Sequence, residues 1–110
     1  MPESPETVRQ LEAALAALSS DVHAIDPAVA APRMRAARQA LEAGEHGHTL
    51  AAYLGSVADL LEQGQLVEAA ATLPAIESET LAYRLWLPEE QRPPLEALAE
   101  RLRLADTGPV

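Results

Sequence analysis

The chain has 110 residues, enough for one domain, and 48% of them are apolar, yet it contains no Cys, no Phe, two Tyr and one Trp. The lack of cysteine excludes disulfides, thiolate metal sites and cysteine nucleophiles. The formal net charge of −9 makes nucleic acids and anionic membranes poor partners, because binding to either depends on Lys and Arg, and it favours a basic protein surface.

The composition predicts an all-α protein. Ala and Leu, the strongest helix formers, dominate the apolar residues, and no stretch shows the period-two alternation of a strand. We therefore expect a compact bundle or array of five to six helices. The N-terminal residues resemble no signal peptide and no apolar run reaches membrane length, so a cytoplasmic location without membrane contact is the expectation.

After a disordered segment 1–5, the first predicted helix spans residues 6–24. Its apolar positions step by three and four, as in a heptad seam: Val8, Leu11, Leu15, Leu18, Val22 and Ile25. One interpretation is that this stripe packs on the protein's own domain. The alternative is self-association as a homodimer through Val8, Leu11, Leu15, Leu18 and Val22.

The second predicted helix has two candidate starts. Asp26 and Pro27 form an N-cap signal, but Pro32 favours a main helix that begins there and runs to Ala43, with Gly44 as the C′ residue. This segment carries a basic edge, which either pairs with the acidic remainder of the chain or contacts an anion or a partner: Arg33, Arg35 and Arg38.

An antiparallel α-hairpin, residues 49–73, is predicted as the centre of the fold. Thr49 is the expected N-cap of its first helix, and Gly64 ends that helix. The buried face is predicted from i, i+3, i+4 spacing: Leu50, Tyr53, Leu54, Val57, Leu60 and Leu61, and on the return helix Leu66, Val67, Ala70 and Leu73.

Beyond the hairpin, Pro74 is expected to end or kink the return helix. A helical stripe of Ile76, Thr80, Tyr83 and Leu87 follows, then a turn-rich connector with extended backbone at Arg92. Leu95, Leu98 and Leu102 predict a last helix over residues 94–104. The helical domain thus spans 6–104, and 105–110 form a flexible tail.

Residues 45–48 carry the chain's only cluster that resembles a metal site. His46 and His48 lie near Glu42 and Glu45, and imidazole and carboxylate groups suit several transition metals. The spacing fixes no third ligand, so the simpler interpretation is solvated loop histidines, and no metal or cofactor is predicted. The alternative is a regulatory site for a metal or phosphoryl group at His46 and His48.

Two short resemblances accompany this region. His48-Thr49-Leu50 resembles the start of a histidine-phosphotransfer motif, His-x-Leu-Lys-Gly, although Ala51 and Ala52 stand at the Lys and Gly positions. That resemblance implies a phosphorylatable His48 on a helical bundle. The hairpin is similar to a single tetratricopeptide-type repeat, which implies an α-hairpin used for protein contacts: Tyr53, Val57, Leu60, Gly64, Ala69, Leu73 and Ile76.

The remaining motifs favour binding over catalysis. No nucleophile elbow or glycine-rich phosphate loop occurs, so we expect no enzymatic activity. Trp86 either plugs the end of the core or lies at the rim of a binding patch. Trp, Tyr and Arg are the usual energetic anchors of interfaces, and the predicted partner-binding residues are Tyr83, Arg84, Trp86 and Leu87. The sequence thus predicts a non-enzymatic, acidic protein-interaction module, such as an adaptor, regulator or chaperone-like protein.

Overall fold

Five α-helices account for most of the residues that the computed structural model describes, which are 5–18 and 22–107. They are α1 (Pro5–Ala16), α2 (Pro27–Glu42), α3 (His48–Glu62), α4 (Leu66–Tyr83) and α5 (Arg92–Thr107). Three short 3-10 turns connect them: Val22–Ala24, Arg84–Trp86 and Glu89–Gln91. No strand occurs in the described ranges, which confirms the all-α prediction.

Helix α1 is shorter than predicted. It ends at Ala16, and a 3-10 turn, not a continuing helix, covers Val22–Ala24. The predicted apolar stripe is nevertheless buried within its own chain, at Val8, Leu11, Leu15, Leu18 and Ile25; the Val22 side chain lies outside the described part. A dimer through this stripe would have to remove it from the core, so self-association stays a prediction without an exposed seam to support it.

Helix α2 begins at the earlier of the two candidate starts. Asp26 is the N-cap, and its Oδ1 accepts a hydrogen bond from the backbone N–H of Ala28 at 3.0 Å. Pro32 lies inside the helix, so the expectation that the helix begins there was wrong. Gly44 follows the C-cap Ala43 as predicted, but its φ is not positive.

The central hairpin is formed by α3 and α4. At the end of α3, the N–H of Gly64 donates to the carbonyl of Leu61 and that of Gln65 to Leu60, which with the positive φ of Gly64 (74°) is a Schellman motif. The other end differs from the prediction, because Gly47, not Thr49, is the N-cap of α3. Helix α4 also continues through Pro74, and Val67 is 77% exposed instead of facing α3.

Helix α5 starts two residues before the predicted position. Arg92 has helical, not extended, backbone angles (φ −77°, ψ −41°). Pro93 and Pro94 then occupy the first turn, where a missing N–H costs no intrahelical bond. The helix extends through residue 107 into the predicted tail; residues 1–4 and 108–110 lie outside the described part.

Neighbours along the chain are also neighbours in space. Helix α2 packs between α1 and α3, α4 packs between α3 and α5, and α1 contacts α5, which closes the bundle. Leucines fill its core together with small residues that allow close helix approach: Ala14, Ala30, Ala31, Ala37, Ala51, Gly55, Ala58 and Ala69. No described helix is long and apolar enough to cross a membrane.

The basic edge of α2 pairs with carboxylates of its own chain. Arg35 bonds to Asp59 at 2.9 Å and to Glu62, which ties α2 to α3 and raises the pKa of Arg35 above its ordinary value. Arg38 pairs with Glu42 at 3.3 Å on the same helix. For Arg35 and Arg38, this confirms intramolecular pairing.

Gly55 offers a test of the close packing between α2 and α3. The Arg38 side chain crosses it, so a Cβ added at Gly55 would clash with Arg38 Nη1 and lie 3.0 Å from Arg38 Cδ. Arg38 is 44% exposed and flexible, so it can move aside at the cost of a surface ion pair. We expect Gly55→Ala to change the free energy of unfolding by about 0 to +1 kcal/mol, since Ala favours the helix. Urea denaturation measures this change. A decrease in the free energy of unfolding of more than about 1 kcal/mol would show that the Arg38 side chain cannot move aside.

Candidate functional site

Trp86 is the most prominent apolar side chain on the described surface. It lies in the 3-10 turn after α4, is 60% exposed, and stacks on the imidazole of His46 with ring centroids 3.7 Å apart and planes inclined by 16°. Its neighbour Leu85 is 62% exposed. Packing in the core explains a pair of buried apolar side chains. It does not explain an exposed pair, which therefore indicates an interaction site more strongly than a buried pair does.

The local chain path explains this exposure. Tyr83 and Leu87 are four residues apart and both are buried in the core, each 2% exposed. The tight turn between them directs Leu85 and Trp86 outward. Of the four predicted partner-binding residues, therefore, Tyr83 and Leu87 belong mainly to the core, and the interpretation that Trp86 plugs the end of the core was wrong.

Arg84, the remaining one of the four predicted partner-binding residues, points toward α5. Its Nη1 donates to Glu96 Oε2, and the side chain is 31% exposed. This ion pair lies in a shallow depression between α4 and α5, with Glu77, Leu81 and Glu100 around it. The ion pair with Glu96 thus holds the Arg84 side chain against α5 and separates it from Trp86.

The loop between α2 and α3 holds the two histidines in different ways. His46 stacks on Trp86, whereas His48 is the first residue of α3 and its Nε2 donates to the carbonyl oxygen of Gly44 at 2.9 Å. Among the described residues, no group of three or more His, Asp or Glu side chains could hold a metal ion. The two rings therefore have separate contacts, and the metal or phosphoryl alternative stays a prediction.

A surface groove lies between this loop and the end of α4, and we call it the Trp86 groove. Gly47 forms its floor against the Tyr83 ring: a Cβ built there would lie 2.8 Å from Tyr83 Cδ1. Carboxylates line it on two sides, Glu45 from the loop and Glu79 from α4. The groove combines acidic, aromatic and hydroxyl groups: Glu45, His48, Thr49, Glu79, Tyr83 and Trp86.

Sequence reasoning missed Leu85 and Glu79 as parts of this surface. The signal for Leu85 was present, because a buried stripe through Tyr83 and Leu87 leaves the intervening positions on the opposite side. Glu79 gave no such signal, since its place beside the α2–α3 loop depends on how α4 packs. Comparison with protein-family models, curated proteins and solved structures finds no match to this chain.

Proposed function

We propose that this protein is a non-enzymatic helical interaction module that binds a partner protein through Trp86 and the groove beside it. The observation that supports this most directly is the exposed indole stacked on His46. A side chain already restrained in the free protein loses little conformational entropy when a partner covers it. Trp is also the residue type most enriched among interface anchors.

The surrounding surface supports a protein partner over other macromolecules. Leu85 extends the apolar area next to Trp86, while seven carboxylates and no Lys or Arg occur between residues 39 and 83. Nucleic acids and anionic membranes would be repelled by this charge. A protein surface with an apolar centre and basic rim would complement it.

The test is affinity capture from native cell extract with quantitative mass spectrometry, using the wild-type protein and Trp86→Ala. Removal of an interface anchor costs about 2 kcal/mol or more, so the specific partner should bind Trp86→Ala at least about tenfold more weakly. Because Trp86 is largely exposed, circular dichroism should show an intact fold.

A matched control is Val67→Ala. Val67 is 77% exposed and lies near the other end of α4, roughly 30 Å away at 1.5 Å per residue. The Val67→Ala variant should capture the same partner as the wild-type protein. Equal capture by Trp86→Ala and wild type would contradict the proposed function.

A further inference from the structure

We infer that the Trp86 groove binds an arginine side chain of a basic segment in the partner. This inference rests on the proposed function and specifies the chemistry of its ligand. It follows from three features of the groove: its charge, its aromatic wall and the engagement of the chain's own arginines elsewhere.

The groove is acidic on balance. Glu79 and Glu45 bring two carboxylates to it, and no Arg is among the described residues that line it. The N-terminus of α3 opposes them, because Gly47 and His48 begin that helix and a helix start carries about half a positive charge. The carboxylate of Glu45 already interacts with the amino-terminal group of the chain, whose hydrogen bond and charge lower the pKa of Glu45. The carboxylate of Glu79 adds a full negative charge that outweighs the half charge of the helix start, so the groove favours a cation.

The aromatic wall selects the type of cation. One face of the Trp86 indole is stacked on His46, and the rest of this 60% exposed residue lies beside the carboxylate-lined groove. A guanidinium group can stack its plane on an indole and direct its N–H groups to a carboxylate at the same time, whereas an ammonium group is a compact, strongly hydrated charge. Because Trp86 and Glu79 line the same groove, it favours arginine over lysine.

The chain's own arginines near this region are engaged elsewhere. Arg84, the closest in sequence, bonds to Glu96 on α5, and Arg92 donates from Nε to the carbonyl oxygen of Leu87 at 3.0 Å. Arg35 and Arg38 pair with carboxylates of α2 and α3. None of these side chains fills the groove, which leaves Glu79 available to an external cation.

Leu85 indicates that the arginine belongs to a peptide segment. Its exposed side chain adjoins Trp86 along the turn, so an apolar residue next to the arginine can pack on it. The ligand we infer is therefore a short segment that combines arginine with a neighbouring apolar residue.

The experiment uses fluorescein-labelled peptides of Gly, Leu and Arg, with fluorescence anisotropy as the measure of binding to the whole protein. The matched peptides replace arginine by lysine, or by citrulline, which keeps the shape and removes the charge. We expect saturable binding of the arginine peptide, weaker binding of the lysine peptide and at least about tenfold weaker binding of the citrulline peptide. Higher salt should weaken the arginine complex.

Variants locate the binding site. Glu79→Gln should weaken the arginine peptide at least about fivefold, and Trp86→Ala should weaken it further. Glu68→Gln removes the same charge from an exposed position on α4 outside the groove and should leave binding unchanged. Equal binding of arginine and citrulline peptides, equal effects of Glu79→Gln and Glu68→Gln, or no saturation up to roughly 1 mM peptide would each overturn the inference.

These outcomes are distinguishable from failure of the proposed function. If capture of a cellular partner depends on Trp86 but not on Glu79, the interaction module stands and the arginine inference fails. If capture does not depend on Trp86, the proposed function fails, whatever the peptides show.

Discussion

Replacing Gly47 by Ala is expected to destabilise the protein by about 2 to 5 kcal/mol. Gly47 has a φ of +83°, which costs a residue with a Cβ about 1 to 2 kcal/mol. The new methyl group would also lie 2.8 Å from Tyr83 Cδ1 and 2.9 Å from Leu41 Cδ2, both buried side chains with little room to move, and such overpacking costs about 1 to 3 kcal/mol. Urea denaturation followed by circular dichroism measures the total.

Gly64 is the matched control for this prediction. Its φ of +74° imposes the same backbone strain, but a Cβ there would contact nothing within 4 Å. Gly64→Ala should therefore cost only about 1 kcal/mol. Similar losses in the two variants would contradict the view that Gly47 is required by its contact with Tyr83 and Leu41.

Tyr83→Ala is expected to destabilise the protein by about 3 to 5 kcal/mol, the cost of removing a buried aromatic ring. Tyr83 is 2% exposed, and its ring closes the core under the α2–α3 loop. A loss of that size is a large part of the stability of a domain of this length, so binding defects in this variant would reflect unfolding. Thermal and urea denaturation measure the effect.

Trp86→Ala provides the contrast, with an expected loss below about 1 kcal/mol, because most of the ring is already in solvent. Tyr83→Phe retains the ring that contacts Gly47 and should be far milder than Tyr83→Ala. If Trp86→Ala proved as destabilising as Tyr83→Ala, Trp86 would have a structural role and its assignment as a binding residue would lose its basis.

The helical fold was predictable because local signals and burial agree over most of the chain. The apolar spacing of α1 and α3 and the Gly64 turn were read correctly. Two of the errors occurred at proline. Pro32 and Pro74 leave the carbonyls of Ala28 and Ala70 without their usual helical donors, yet both alanines retain solvent exposure, so water can serve those carbonyls.

Packing then decides the outcome at Pro74. Leu73 before the proline and Ile76 after it are both buried on one face of α4. Burial of a continuous apolar face outweighs a local penalty of about 3 kcal/mol for an interior proline. The sequence indicates the cost of placing a proline inside a helix, but not the free energy that α4 gains when its apolar face is buried in the bundle.

The candidate site was predictable only in part for the same reason. Trp86 could be identified from its residue type and its place beside a proline-rich connector, but its contact with His46 joins positions forty residues apart. No periodicity predicts that contact. Exposure of Trp86 and burial of Tyr83 depend on where the α2–α3 loop packs against α4, and this is a property of the assembled bundle.

The position of the only tryptophan also determines how unfolding of this protein will be observed. Since Trp86 is largely in solvent before unfolding begins, its emission should respond mainly to separation of its ring from His46 and only weakly to exposure of the core. Far-UV circular dichroism should follow the five helices instead. An emission change that precedes loss of helicity on heating would thus report local opening of the contact between the Arg84–Trp86 turn and the α2–α3 loop, while the bundle itself unfolds in one cooperative step.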